Sequence, residues 1–232
     1  MFFDLFRSEG IDIALKWRLI PTKYPKNNDR NFGGKVILPQ RVLEDLSNLG
    51  VPAPFTFEVS HSNRIYVSHC GVLEFTGKDE EIVVPEWLFQ QLEMDQCGLL
   101  TVAYKKLIPG KSIELLPHSV DFLEIEDPKK ELEKSLVHYQ VLTQGDEILC
   151  NFKELGPIRF TVNQIHPRFD AIYIVDVDLI VEFLPPIGYE EKLQKEKTVQ
   201  QFIECAADDA IDNDVPIRMK ERGVCFDFTP HK

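Results

Sequence analysis

The sequence predicts a mainly β protein with an α+β second half: a pseudo-symmetric β-barrel, a smaller unit behind it, and a C-terminal appendage. Three observations point there. The first is an internal repeat. Residues 36–46 (Val-Ile-Leu-Pro-Gln-Arg-Val-Leu-Glu-Asp-Leu) align without a gap on residues 82–92 (Ile-Val-Val-Pro-Glu-Trp-Leu-Phe-Gln-Gln-Leu). Each copy reads as a short buried strand running into a helix whose first residue is Pro. The missing N–H would be unpaired there anyway, and the fixed φ suits a helix. A unit present twice, with strands on both sides, fits a barrel of two interlocked halves, whereas a solenoid stacks three or more copies. Coincidence between two ordinary strand–helix junctions is the competing explanation. The second observation is the series of short apolar runs separated by turns from Gly33 to Pro117. The third is a change of style near Asp127, where a helical pattern precedes a new set of strands.

Taken in order, residues 1–30 read as irregular, with a polar loop of turn formers at 21–30. Strands are expected at 35–38, 55–59, 64–68, 70–75, 82–84, 99–104 and 112–116, with short helices after Pro39 and Pro85. Gly50 follows the first helix as a left-handed cap residue would. Asp127-Pro128 pairs an N-cap with a Pro at the first helical position, and Leu132, Leu136 and Tyr139 then share a face. After the turn at Thr143-Gln144-Gly145-Asp146, strands are expected at 147–152, 158–165, 171–175 and 178–183. In the second of these Ile158, Phe160 and Val162 alternate with Arg159, Thr161 and Asn163, the period of a half-buried strand. Helical spacing returns over 189–207, followed by an acidic stretch to Asp214 and a segment expected to be ordered by a partner. The expected divisions are a barrel subdomain over 15–120, a small α/β subdomain over 121–190, and a C-terminal helix and tail over 191–232.

Composition narrows the function. A length of 232 residues is enough to bury a full core. A formal charge of −12 argues against nucleic acid, whose phosphates demand Lys and Arg clusters. It suits a partner with a basic surface. The five cysteines are scattered and never spaced as C-x-x-C, the pattern of reduced thiols. No window approaches the ~18 apolar residues of a membrane span, and the N-terminus makes a poor signal peptide, so an intracellular soluble protein is expected.

Catalytic and metal motifs are missing. Gly110-Lys111-Ser112 hints at a phosphate loop, but Lys105 stands where that loop needs its first Gly. His69 and Cys70 are neighbours on a strand and point to opposite faces, so they cannot share a proton. Cys70 reads as a small buried hydrophobe. The histidines have no zinc spacing, and Asp170, Asp176 and Asp178 read as charges at a strand edge and turn rather than a metal or acid–base site. A binding protein without catalytic residues, metal or cofactor is expected.

Five blocks carry a resemblance: Gly33-Gly34-Lys35-Val36-Ile37-Leu38-Pro39, Ser68-His69-Cys70-Gly71-Val72-Leu73-Glu74-Phe75, Pro85-Glu86-Trp87, Pro117-His118-Ser119-Val120-Asp121-Phe122-Leu123-Glu124-Ile125, and Val181-Glu182-Phe183-Leu184-Pro185-Pro186-Ile187-Gly188-Tyr189. In this order over roughly 15–190 they resemble the ubiquitin fusion degradation protein 1 family. The resemblance implies a double-psi β-barrel followed by an α/β roll, similar to the N-terminal domain of the valosin-containing AAA ATPase. It also implies an adaptor that binds polyubiquitin, pairs with the nuclear protein localisation homologue 4, and recruits ubiquitylated substrates to that ATPase for unfolding and proteasomal degradation. Endoplasmic-reticulum-associated degradation is among its uses, which places it in cytoplasm and nucleus and at the reticulum surface. The family's F-x-G-x-G docking box does not occur in these residues, so the resemblance leaves both direct and indirect contact with the ATPase open. Arg222, Gly223, Val224, Phe226 and Phe228 resemble the family's partner-binding segment, one residue shorter. The ubiquitin face is not located by the sequence; an apolar patch with an acidic rim is expected. A structural assembly subunit without ubiquitin affinity and a double-psi-barrel enzyme are the rivals.

Overall fold

The computed structural model describes residues 15–61, 66–94, 98–195 and 197–198. The described residues up to Tyr189 form one compact unit. Those from Glu190 onward belong to a second, in which residues 190–195 and 197–198 are helical and Thr198 Oγ1 donates to Gln194 O at 2.9 Å.

Six strands close a barrel: β1 (Lys16–Lys23), β2 (Lys35–Pro39), β3 (Thr56–His61), β4 (Val67–Gly77), β5 (Glu81–Val84) and β6 (Leu100–Tyr104). Their order around the barrel is β1-β5-β2-β4-β3-β6, with β6 closing on β1. Exchanging β1 with β4, β2 with β5 and β3 with β6 leaves that ring unchanged. The exchange carries the parallel pair β1·β5 onto the parallel pair β4·β2, and the antiparallel pair β1·β6 onto β4·β3.

The internal repeat is therefore the strand–helix junction of each half: β2 leads into α1 (Gln40–Asn48) and β5 into α2 (Glu86–Gln91). Equivalent positions are buried alike. Val42 matches Leu88 and Leu46 matches Leu92 in the core, while Leu43 and Phe89 are both half-buried. Pro39 and Pro85 stand one residue earlier than expected. They are N-caps with ψ of 151° and 149°, still extended, and the helix opens on the next residue. The fixed φ serves this position equally well, and the absent N–H is again no loss.

Behind the barrel come β7 (Ser112–Pro117), α3 (Pro128–Leu136), β8 (Val141–Thr143), β9 (Glu147–Phe152), β10 (Gly156–His166), β11 (Ala171–Tyr173) and β12 (Ile180–Phe183). They build a four-stranded sheet, β12-β7-β10-β9, and a two-stranded ribbon, β11-β8. Asp127 caps α3 by accepting from Lys130 N at 3.2 Å, ahead of Pro128 at the first position, as the sequence predicts. On the sheet's inner face Phe122 meets Phe183 at 4.8 Å and Phe160 at 5.3 Å between ring centroids.

Three readings are corrected. Residues 16–23, expected to be irregular, are β1: Trp17 and Leu19 are buried between exposed Lys16, Arg18 and Ile20, but Pro21 and the polar loop masked that alternation. The strands expected at 64–68 and 70–75 run together from Val67 as one strand, β4, whose register shifts against β2, while residues 64 and 65 lie outside the described residues. The strand at 112–116, grouped with the barrel over 15–120, is β7 and pairs with β10 and β12 instead. Alternation reveals that a strand is half-buried; it carries no information about which sheet it joins.

Candidate functional site

The motif glycines sit where the second sheet docks on the barrel. A Cβ on Gly71 would lie 2.2 Å from Gln140 Oε1 and 2.4 Å from its Cβ; one on Gly34 would lie 2.7 Å from the Tyr139 ring; one on Gly33 would lie 2.8 Å from His138 O. So the segment 138–140, between α3 and β8, lies directly on barrel backbone. Gln140 uses that proximity: its Oε1 accepts from Val72 N at 3.2 Å and its Nε2 donates to Phe55 O at 3.1 Å. Tyr139 is buried and its hydroxyl donates to Leu149 O (2.9 Å) and accepts from Leu149 N (3.1 Å), taking the place of a neighbouring strand on the β9 edge.

Helix α2 is the barrel's other contribution to this seam, and here the two halves part ways. Arg41 of the first half corresponds to Trp87, whose Nε1 donates to Gly33 O at 2.9 Å and whose ring lies 6.2 Å from that of Tyr139. Asp45, which accepts from Trp17 Nε1 at 2.8 Å within the barrel, corresponds to Gln91, which reaches across to Asp146 and Glu147.

His69, Cys70 and Cys150 are buried, and burial sets their protonation states. Burial lowers the His69 imidazole from 6.5 to about 4, so it is neutral, and its Nδ1 lies 3.2 Å from Thr143 Oγ1. Burial pushes the Cys70 thiol far above its usual range and that of Cys150 up to about 12, so neither is a thiolate near neutral pH. Gly110 N and Lys111 N donate to Tyr173 O and His166 O, and a Cβ on Gly110 would meet Ile172 Cδ1 at 2.5 Å; this turn is packing, not a phosphate cradle. Asp170, Asp176 and Asp178 are exposed in the connections around β11 and β12. Among the described residues no three His, Cys, Asp or Glu side chains converge to hold a metal, and no helix is long and apolar enough to cross a membrane.

What remains is surface. The outer face of the four-stranded sheet presents Ile180 (64% exposed) and half-buried Leu116 beside Glu114 and Glu182. These two carboxylates are register partners on the parallel strands β7 and β12, and among the described residues neither makes an ion pair. Asn163 Nδ2 donates to Glu114 Oε1. At the far side of the same face Glu147 is paired with Arg159 at 2.8 Å. Like charges on directly opposed strand positions are unfavourable in the free protein. A cationic group of a partner would relieve that repulsion, and Ile180 and Leu116 would supply the apolar contact. This is an apolar patch with an acidic border.

Arg222, Gly223, Val224, Phe226 and Phe228, expected to bind a partner, lie outside the described residues, as does the acidic stretch before them. Sequence reading missed Gln91, Gln140 and Asp146. The one legible signal was a Gln inside the apolar run Tyr139-Gln140-Val141-Leu142, because a polar residue in a buried segment must be hydrogen-bonded.

Residues 13–108 match the family described as ubiquitin fusion degradation protein UFD1, N-terminal subdomain 1, and residues 109–186 match subdomain 2 of the same protein. The chain is 36% identical over 187 residues to ubiquitin fusion degradation protein 1 of Schizosaccharomyces pombe, covering 78% of this chain and 54% of that protein. It is 34% identical over 178 residues to the Saccharomyces cerevisiae protein of that name, covering 76% and 49%. It is 35% identical over 167 residues to the human ubiquitin recognition factor in ER-associated degradation protein 1, covering 71% and 54%. The chain spans about half the length of the curated relatives it matches.

Proposed function

This chain belongs to the ubiquitin fusion degradation protein 1 family, and from that membership we propose that it is a non-enzymatic adaptor that binds ubiquitin chains. With the nuclear protein localisation homologue 4 as partner, it recruits ubiquitylated substrates to the valosin-containing AAA ATPase for unfolding and degradation, in cytoplasm and nucleus and at the endoplasmic reticulum surface. The observation that carries the reading is the continuous family match across both the barrel and the second sheet, joined to relatives named for ubiquitin recognition. The finer fold is part of it. Two parallel strand pairs related by the pseudo-two-fold support a double-psi barrel, and the sheet with α3 supports the α/β roll.

The acidic, apolar outer sheet face is our assignment for the ubiquitin contact, since a basic-rimmed apolar surface complements it. Pull-down with linked ubiquitin chains, with and without the ATPase, tests the reading. Capture of chains by this protein alone is expected. Capture of the partner or ATPase without ubiquitin would favour an assembly subunit, and turnover of a substrate an enzyme. Replacing Glu114 and Glu182 together by Lys should weaken chain binding by about tenfold, on the order of 1–2 kcal/mol for two rim charges. The melting temperature should change little, because one like-charged pair replaces another. Wild-type affinity should fall with salt, as the Debye length shrinks from ~10 Å at 0.1 M to ~3 Å at 1 M. Unchanged affinity in both experiments would move the ubiquitin contact elsewhere.

The tail completes the proposal. Phe226 and Phe228 alternate around Asp227, the spacing that seats two rings in neighbouring pockets when an extended segment joins a sheet edge. Phe226→Ala with Phe228→Ala is expected to abolish binding to the localisation-homologue partner while ubiquitin capture and melting temperature are retained. A heterodimer that survives the double change would remove the tail as docking site.

A further inference from the structure

One carboxylate is shut into the seam. Asp146, 3% exposed, stands in the turn between β8 and β9. Its Oδ2 accepts from Ser68 Oγ of β4 at 2.6 Å and its Oδ1 from Gln91 Nε2 of α2 at 2.5 Å, and the Thr143 hydroxyl is a third partner. Thr143 Oγ1 in turn accepts from His69 N at 3.0 Å, and Gln91 Oε1 accepts from Glu147 N at 2.9 Å. Both barrel elements that touch the second sheet here are thus tied to it through Asp146 and the residues flanking it. A cleft of about 370 Å³ opens beside the network, and Gln91, Gly145 and Glu147 form part of its wall together with Tyr66 and Trp87.

The surroundings supply hydrogen bonds but no compensating charge. From β4 come the neutral His69 and the Cys70 thiol; from the segment before β8, the buried Tyr139 hydroxyl. From α2 and its end come Gln91 and Glu93, and from β9 and β10 the Glu147–Arg159 pair, already satisfied. Among the described residues Asp146 makes no ion pair. We propose that Asp146 is a proton-operated latch: neutral, its carboxyl O–H donates along the 2.6 Å contact to Ser68 Oγ, reversing the bond that the ionised group accepts, and keeps the barrel and the second sheet clamped; ionised, with no cation beside it, it draws water in from the cleft and loosens the seam.

Burial raises the carboxyl from 3.8 to about 7, against the hydrogen bonds from Ser68, Gln91 and Thr143 that lower it. A group whose pKa is higher in the closed state than in the open one contributes stability that is fully present below the open-state value. That contribution is lost as pH rises through the closed-state value. Clamping is strongest below 3.8, falls away up to about 7, and is constant above. In the middle of that window the opening equilibrium shifts by about tenfold per pH unit.

The test is a carbon-13 titration of the Asp146 carboxyl in the whole chain, read together with the amide signals of His69 and Glu147. Urea unfolding of wild type and Asp146→Asn across pH 4.5–8.5 runs beside it. A carboxyl midpoint above 6, with both seam amides moving at that midpoint, is expected. So is a wild-type unfolding constant that rises relative to the variant by about tenfold per pH unit up to roughly 6.5 and then levels. A midpoint below 6, seam amides that ignore it, or parallel unfolding profiles would each overturn the latch. The carboxyl titration needs no variant, so a poorly folding Asp146→Asn leaves the test intact.

Discussion

Gly71→Ala should destabilise the chain by about 2–4 kcal/mol in urea unfolding, a large effect for one added methyl. The added Cβ would fall 2.4 Å from Gln140 Cβ, an atom close to the backbone that cannot swing away as a side-chain tip would. Overpacking of this kind typically costs about 1–3 kcal/mol. Displacing Gln140 also breaks its bonds to Val72 N and Phe55 O, each worth roughly 1 kcal/mol in a buried setting. Gly50→Ala meets nothing within 4 Å but carries a φ of +64°, so its loss should come from the backbone alone and be about 1 kcal/mol. Equal losses at the two positions would show that Gly71 is not a close-packing site.

Leu46→Ala and Leu92→Ala should each lower stability by about 2–5 kcal/mol, because both side chains are fully enclosed and leave a cavity. They occupy matching places at the ends of α1 and α2. Leu49→Ala, next along the first helix but half exposed, should stay within about 0.5 kcal/mol. Chemical denaturation of the three variants checks the assignment. A small effect at Leu46 or Leu92 would mean that the pseudo-two-fold does not bury the two positions alike.

Much of the fold was legible in the residues, and for local reasons. The repeat was readable because a strand-to-helix junction is encoded within about ten residues: apolar run, Pro, then apolar spacing of the helix face. The cap at Asp127-Pro128 and the alternation in β10 are likewise short-range signals. β1 was lost because Pro21 and the polar loop behind it outweighed five alternating residues. In the fold Pro21 keeps its place at the junction where β1 turns from pairing with β6 to pairing with β5. The sequence offered no location for the surface assigned here to ubiquitin. Glu114 and Glu182 are separated by most of the second subdomain in sequence and become neighbours only through strand register.

The mainly β class, the twofold-repeated junction, the family and the poverty of catalytic motifs were all legible in the residues alone, since each is a property of composition or of a window of contiguous residues. Folding had to be seen to learn that β7 belongs to the second sheet, that Gly33, Gly34 and Gly71 are conformationally ordinary residues whose lack of a side chain admits segment 138–140, and that Asp146 is enclosed. The physical reason is the same in each case. Pairing, close approach and desolvation arise between residues tens of positions apart, and no periodicity along the chain records which partner folding will bring.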